Sequence, residues 1–230
     1  MKITCISASN VENARHHSAS TRTCELVRDL LLERYLPDAQ VRIVRLLDYE
    51  FTPCRMCGNC FIGGECTQDP DFNAVFELLR ASDAIFVVCP HYAPIPAKLT
   101  MLLEKLEEIC YLNTCADPEY RFPLYAKPVG LIAHGGQTEE ALPYYRRALL
   151  EPLANAFTGV QMRVIPLDAE NPLGAVFGIQ SITAQTDSIF VKTEHDWNAI
   201  RQRIDPLVCN VAAHLAEEAG LPRPPQLCSN

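Results

Sequence analysis

The sequence has no long apolar stretch and no extended basic run. No apolar segment approaches the roughly 18 residues that a membrane-spanning helix needs, and the N-terminal stretch MKITCISASN does not have the pattern of a signal peptide. The longest Lys/Arg run is the pair Arg146 and Arg147, in a chain of formal net charge -8, which argues against nucleic-acid binding. These absences predict a cytoplasmic protein without a membrane or nucleic-acid partner.

Glycine is also scarce, whereas cysteine is abundant. With 10 glycines in 230 residues and 48% hydrophobic side chains, the composition excludes collagen-like and disordered chains. We therefore expect a single globular domain over residues 1–230. The 11 cysteines are an odd number in a compartment where disulfides rarely persist. Something other than disulfide bonding must account for them.

Buried strands alternate with amphipathic helices along the chain. Short apolar runs predict five strands, at residues 2–7, 41–46, 83–89, 127–133 and 161–167. Apolar residues at helical spacing predict five helices: one with its apolar face at residues 26–35 and capped by Ser20, Thr21 or Thr23, then 71–80, 96–109, 138–156 and 196–219. This alternation predicts an α/β fold, a doubly wound five-stranded parallel sheet with helices on both faces.

The loops at the carboxyl edge of that sheet are the expected binding loops, because ligands of doubly wound sheets lie beyond the carboxyl ends of the strands. They follow Ser7, Leu46, Cys89 and Ala133. The second of them is an extra cysteine-rich loop, residues 53–67. A C-terminal insertion at about residues 168–187 fits no helix, and we expect an inserted hairpin or a subunit contact there.

The most specific pattern is PCRMCGNCFIGGEC, which places Cys54, Cys57, Cys60 and Cys66 at spacing C-x2-C-x2-C-x5-C. Three thiolates at every third position, with glycines nearby, wrap closely around a polynuclear cluster. Zinc sites more often use two C-x2-C pairs a dozen or more residues apart. The spacing predicts one [4Fe-4S] cluster, with zinc and a group of buried or disulfide-bonded thiols as alternatives. The other seven cysteines are predicted to be core or surface thiols.

The loop after the first strand, SASNVENARHHSASTRT, is rich in hydroxyl groups and leads into a helix. Hydroxyls and N–H groups at a helix N-terminus form an anion site. Because the sequence lacks the G-x4-G-K-[ST] loop, a flavin monophosphate suits this site better than ATP. Serines before a helix are also ordinary caps, so a plain cap is the alternative.

Three segments together resemble a known family. Ser9 and Ser18 to Thr21 resemble its phosphate loop, and Cys89-Pro90-His91-Tyr92 with Pro96-Ala97-Lys98 resembles its flavin-ring loop, sPxY...pa.lK. The four-cysteine run follows the second strand. Over residues 1 to about 160 the chain is similar to the iron–sulfur flavoprotein branch of the flavodoxin-like, NADPH-dependent FMN reductase family.

The resemblance implies cofactor positions and an assembly. FMN is expected at the carboxyl edge of the sheet, with its phosphate at Ser9, Ser18, Ser20 and Thr21. Its ring is expected against Pro90, His91, Tyr92, Ala93, His134, Gly135 and Gly136, where the last three have a plain turn as the alternative. The family forms dimers or dimers of dimers, so we expect a homodimer or homotetramer in which residues 173–182 cover a neighbour's flavin and a cluster approaches a flavin.

No Ser-His-Asp order, H-E-x-x-H motif or carboxylate pair stands out, so the chemistry is assigned to the cofactors. The leading hypothesis is an FMN-dependent oxidoreductase whose FMN exchanges electrons with the cluster. It would take electrons from ferredoxin or NAD(P)H and reduce a small-molecule acceptor. The alternatives are a two-electron NAD(P)H:quinone/FMN reductase with a structural metal site, and a non-enzymatic electron-carrier module.

Overall fold

The computed structural model describes residues 1–11, 17–186 and 191–221, and within them six strands form one parallel sheet. The strands are β1 (Lys2–Ser7), β2 (Gln40–Arg45), β3 (Ala84–Pro90), β4 (Pro128–His134), β5 (Arg163–Val164) and β6 (Ala175–Phe177). Their order is β2-β1-β3-β4-β5, and β6 also pairs with β4. The predicted doubly wound α/β fold is confirmed, with one short strand more than expected.

Helices cover both faces of the sheet. They are α1 (Ala19–Leu30), α2 (Cys60–Gly63), α3 (Pro70–Arg80), α4 (Ala97–Ala116), α5 (Leu142–Tyr145), α6 (Glu151–Gly159) and α7 (Trp197–Glu218). One apolar core lies between the sheet and α3, α4 and α6, and the other lies under α1 and α7. Side chains alternate between the two, as Ile6 enters the first core and Cys5 the second. A parallel sheet buried on both faces requires this arrangement.

Helix α1 begins earlier than the sequence pattern indicates. Its N-cap is Ser18, whose Oγ accepts a hydrogen bond from the N–H of Thr21 at 3.2 Å. The predicted caps Ser20, Thr21 and Thr23 lie inside the helix and are buried, and Thr23 Oγ1 donates to the carbonyl of Ala19 at 2.8 Å. The cap prediction was therefore wrong, because buried hydroxyls interrupt the apolar pattern of the first turns.

The long helix predicted over residues 138–156 is broken in the structure. A 3-10 turn (Glu139–Ala141), α5, a π turn (Arg146–Leu150) and α6 follow one another. Pro143 and Pro152 stand in the first turns of α5 and α6. Proline has no N–H to donate within a helix, so each of these residues disrupts the regular hydrogen-bond ladder.

The C-terminal insertion contributes to the sheet and adds a hairpin. Ala175, Val176 and Phe177 of β6 are fully buried, as is Ile179. Strands β7 (Ser181–Thr183) and β8 (Lys192–Glu194) pair antiparallel, so the hairpin extends beyond the expected insertion at residues 168–187, and residues 187–190 between the strands are outside the described chain. Residues 175–177 and 179 pack in the core of their own chain, whereas Ile182 is exposed; that this segment covers a neighbour stays a prediction. Within the described residues, no helix is long and apolar enough to cross a membrane.

Candidate functional site

A cavity of about 760 Å³ opens at the carboxyl edge of the sheet. The loops after β1, β3 and β4 form one side of it, and the β7–β8 hairpin with the start of α7 forms the other. Its volume is typical of a site for a small molecule or cofactor. Nine of the eleven predicted cofactor-binding residues line it, namely Ser9, Ser18, Ser20, Pro90, His91, Tyr92, His134, Gly135 and Gly136.

The first turn of α1 forms a corner of the cavity suited to an anion. Ser18 and Ser20 both line it, and Ser9 contributes a buried hydroxyl beside them. Helix N-termini attract anions because their N–H groups point outward and the helix dipole is positive there. Arg22, one turn into α1, adds a full positive charge that the sequence analysis did not anticipate.

Thr21 lies behind this corner rather than in it. Its Oγ1 is 2.9 Å from the hydroxyl of Ser7 and accepts a hydrogen bond from Ser18 Oγ at 3.0 Å. Thr21 does not line the cavity, so its part is to hold the β1 end and the helix cap together. Residues 12–16 of the loop after β1 lie outside the described chain.

The loop after β3 also lines the cavity. The N–H of His91 donates to the carbonyl of His134 at 2.8 Å, which ties this loop to the end of β4. Ala93 has φ 56 and does not line the cavity, so it shapes the turn that presents Tyr92. Tyr92 is 40% exposed, and burial of the rest of its side chain raises the pKa of its phenol. His91 Nε2 and the hydroxyl of Tyr144 are 3.1 Å apart.

The turn after β4 is fixed by packing. A Cβ on Gly135 would lie 2.1 Å from Cζ of Tyr145, so no larger residue fits there without displacing that ring. The hydroxyl of Tyr145 in turn accepts the N–H of Gln137 at 3.0 Å. Gly136 faces open space, which leaves the backbone accessible from the cavity.

His134 is a buried, neutral histidine at the floor of the cavity. Its Nε2 is 2.8 Å from Ser20 Oγ, within hydrogen-bond distance, and its ring stacks on Phe177 with centroids 4.9 Å apart. Burial, and secondarily the nearby His195, lowers the pKa of His134 to about 3. His134 therefore joins β4 to the first turn of α1 as an uncharged polar link.

A group of stacked aromatic side chains, of which His195 and Trp197 line the cavity, was not predicted. Phe177 contacts His195 edge-on, His195 stacks on Trp197 at 4.9 Å, and the Arg22 guanidinium lies 4.1 Å from the centroid of the Trp197 ring. Burial, with a smaller contribution from Arg22, lowers the pKa of His195. The sequence feature that could have indicated these residues is Asp196, a helix N-cap that lies directly between His195 and the single tryptophan of the chain.

The four cysteines of the loop after β2 surround one pocket. Cys54, Cys57, Cys60 and Cys66 line a small space of about 30 Å³ against α4. None of the cysteines in the described part of the chain forms a disulfide. Positive φ angles at Met56 (51°), Gly58 (71°) and Gly64 (68°) turn the backbone repeatedly around this pocket. Burial raises the pKa of the Cys60 thiol, with smaller contributions from Glu108 and the neighbouring thiols.

Both ends of this cysteine loop are anchored to helices. Asn73 of α3 accepts the N–H of Cys66 through Oδ1 and donates to its carbonyl through Nδ2, both at 2.8 Å. Glu104 of α4 accepts the N–H of Cys54 at 3.2 Å. Among the described residues, no three His, Cys, Asp or Glu side chains are grouped closely enough to hold a single metal ion. The thiols thus share a pocket without converging on one point.

The remaining cysteines behave as predicted. Cys5, Cys24, Cys89, Cys110 and Cys209 are buried, and Cys115 is exposed on α4. Burial raises the pKa of Cys5 to about 12 and also raises the pKa of Cys89, which makes these thiols poor nucleophiles and metal ligands. Cys228 lies outside the described residues.

Curated relatives match parts of this sequence. An iron–sulfur flavoprotein of Methanosarcina thermophila is 37% identical over 57 residues, which cover 24% of this chain and 30% of the relative. One of Archaeoglobus fulgidus is 24% identical over 111 residues, or 48% of each chain. The chain therefore spans less than half the length of these curated relatives.

Two solved structures share the fold at low identity. RosB, solved with 8-demethyl-8-formylriboflavin-5'-phosphate, gives a TM-score of 0.60 at 17% identity, over 96% of this chain and 80% of that chain. The apo NADH:FMN oxidoreductase EMOB gives 0.57 at 18% identity, over 99% and 96%.

The family comparison is the most extensive of the three. The family model of NADPH-dependent FMN reductase matches residues 1–169. This range includes the cysteine loop and the loops after β1, β3 and β4 that line the cavity. This confirms the predicted family, and the matched relatives bear the name of the predicted branch. The chain belongs to the NADPH-dependent FMN reductase family.

Proposed function

We propose that this protein is an FMN-dependent oxidoreductase in which FMN in the large cavity exchanges electrons with a [4Fe-4S] cluster held by Cys54, Cys57, Cys60 and Cys66. The observation that carries the proposal is that one chain of the FMN reductase family has both a cofactor-sized cavity and a four-thiol pocket. Flavin supplies the conversion between two-electron and one-electron transfer.

The residues of the cavity fit the parts of FMN. The first turn of α1, with Ser9, Ser18, Ser20 and Arg22, offers hydroxyls and positive charge to a phosphate. Residues Pro90 to Tyr92 and the open backbone at Gly136 also line the cavity and can contact a ring system. The cavity thus offers both polar groups and ring or backbone surfaces, which suits an amphipathic ligand.

The cysteine loop fits a cluster better than a single ion. Thiolates bound to one zinc lie about 2.3 Å from it, which requires them to converge on a point. The four cysteines line one shared pocket, and glycines at positive φ let the backbone turn closely around it. Sulfur ligands around a wider centre are typical of iron–sulfur clusters. The matched relatives are named iron–sulfur flavoproteins, which supports a cluster independently of the structure.

Ferredoxin and NAD(P)H are the proposed electron donors, and a small molecule is the proposed acceptor. The family description supports a nicotinamide donor, and a [4Fe-4S] cluster supports a one-electron protein donor. Four exposed apolar or aromatic side chains bear on the assembly: Tyr92 lines the cavity, Tyr144 contacts His91, and Ile182 and Val191 lie on or beside the β7–β8 hairpin. These apolar side chains support the proposed homodimer or homotetramer, in which a second subunit covers the flavin.

Anaerobic purification followed by iron, sulfide and flavin analysis tests the proposal. We expect about four iron and four sulfide per chain, together with about one FMN. Cys60→Ser should abolish the cluster, whereas the matched control Cys115→Ser, on the exposed part of α4, should retain it. Zinc without acid-labile sulfide contradicts the cluster. A loaded cluster that reduced flavin never reduces, measured by anaerobic stopped-flow, contradicts electron exchange.

A second candidate is a two-electron NAD(P)H:acceptor reductase whose metal site is structural. It is favoured by one observation: among the described residues, no side chain lines both the cysteine pocket and the large cavity. NAD(P)H oxidation with a dye acceptor, with and without reduced ferredoxin, separates the two. Turnover that ferredoxin cannot drive, in protein with a full cluster, supports the second candidate.

A further inference from the structure

A buried lysine forms part of the wall of the cysteine pocket. Lys105 of α4 lines the pocket beside the cysteines, yet its side chain is only 3% exposed. Its Nζ is 2.9 Å from Oδ2 of Asp69, which is 1% exposed, and it also donates a hydrogen bond to the carbonyl of Thr52. Lys105 is therefore a charged group held without solvent at the edge of the pocket.

The pair has a fixed orientation. Lys105 lines the pocket and Asp69 does not. Asp69 accepts hydrogen bonds from the N–H of Thr52 and the N–H of Phe72, each at 2.8 Å, so its carboxylate is held on the far side by the backbone. Within the pair, Lys105 is therefore the member on the pocket side, and Asp69 is the member at the start of α3.

Stability alone does not require a lysine here. Removing two charges from water costs several kcal/mol per ion, and apolar residues that replace a buried pair are often equally stable or more so. Asp69 already serves as the N-cap of α3. Its backbone hydrogen bonds hold its pKa below the usual range against the opposing effect of burial, and Lys105 adds to this.

The other charges near the pocket are mainly negative. Glu108 lines it, and Glu104 bonds the N–H of Cys54. Arg55 also lines the pocket, but it is exposed and therefore screened by water and salt. Lys105 is the buried cation on this wall, and the cluster proposed there would carry negative charge that increases on reduction.

We propose that Lys105, oriented by Asp69 and Thr52, raises the reduction potential of the cluster bound by the cysteine loop. This inference rests on the proposed function. A fixed cation in a water-poor site stabilises the more negative, reduced form more than the oxidised form, because Coulomb interactions are stronger where the dielectric is low. Lys105 is thus a positioning and tuning residue, since it acts on the cluster through its field and is not a ligand.

The test compares the midpoint potential of the cluster, by anaerobic redox titration followed in the visible spectrum, in three variants. Lys105→Met removes the cation and leaves the charge of Asp69 uncompensated. The equilibrium constant for one-electron reduction of the cluster should therefore fall on the order of tenfold, which lowers the midpoint potential by about 59 mV. Asp69→Asn keeps an oxygen for the N–H groups and removes the anion, so the potential should rise. The control Glu107→Gln, exposed on α4, should leave it unchanged.

Opposite shifts in the two charge variants, at equal iron content, support the inference. A purely structural role predicts loss of iron in both variants and no opposite shift, so shifts of one sign or none at all overturn it. If Lys105→Met takes up no cluster, Lys105→Arg is measured in its place. Lys105→Arg should keep the wild-type potential of the cluster, while Asp69→Asn should still raise that potential. A wild-type protein that binds no cluster overturns the proposed function itself, whereas a loaded wild type with unmoved variants overturns only this inference.

Discussion

Replacing His134 is predicted to remove a large part of the dependence of stability on pH. In the folded chain its pKa is lowered to about 3, chiefly by burial, against about 6.5 in an unfolded chain. Below pH 6.5 the unfolded state therefore takes up a proton that the folded state refuses. Stability is highest above pH 6.5 and falls as the pH drops towards 3, by about 1.4 kcal/mol per pH unit.

The magnitude can be isolated between pH 7.5 and pH 5, where carboxylates stay ionised in both states. His134 alone should cost about 2 kcal/mol of unfolding free energy over this interval. His134→Gln has no titrating ring, although its amide can still reach Ser20. The variant should therefore lose that amount of pH dependence, whatever its absolute stability. His195, whose pKa is also lowered by burial, should account for a residual slope in the same direction.

Urea unfolding of FMN-free protein at several pH values measures the difference directly. His17→Gln is the matched control, because it removes an exposed imidazole rather than a buried one. We compare its slope with those of the wild type and His134→Gln. If His134→Gln retains the full wild-type slope, His134 is not neutral and desolvated in the folded protein, and the account of the cavity floor given above is wrong.

Three further predictions concern the cavity. Ser20→Ala should weaken FMN binding roughly ten- to a hundredfold in fluorescence titration, as for a lost hydrogen bond to a charged group, whereas Thr21→Ala, behind the cavity, should not; equal losses would contradict these assignments. Gly135→Ala should lower the stability measured by thermal unfolding by about 1–3 kcal/mol, because its Cβ would overlap Tyr145; Gly136→Ala, facing open space, is the control, and an equal effect of both would refute the packing argument. Light scattering should give a dimer or tetramer mass that Ile182→Glu reduces; a strict monomer with full FMN content and electron transfer would show that the interface is not part of the site.

The sheet was predictable because its strands are continuous buried runs. Strand β1 has the predicted bounds, and β3 and β4 differ from prediction by only a residue or two at each end. Strand β6 was missed because three residues carry no usable periodicity, although Phe177 is fully buried. The start of α1 was missed because Ser20 and Thr23 are buried polar residues, and burial of polar groups depends on partners elsewhere in the chain.

The candidate site was predictable where it is built from loops that follow strands. The lining residues Ser18, His91 and His134 were predicted because they lie in or next to such loops and because of the family resemblance. The contact between Arg22 and Trp197 was not predictable, because these residues are far apart in the sequence and meet only in the folded chain. Thr21 and Ala93 were assigned to the site by the family resemblance, and neither lines the cavity.

The division of the edge beyond β4 into two short strands restricts how the protein can associate. Arg163 and Val164 pair with the beginning of β4, and β6 pairs with its end, so neither presents more than three residues outward. A long uncovered edge strand invites another chain to extend the sheet through backbone hydrogen bonds, with amyloid-like aggregation as a hazard. Within the described residues, this side of the sheet has no long edge strand with which another chain could pair. Oligomers formed here must be held by side-chain surfaces, so they can be dissociated by surface substitutions that leave the sheet intact.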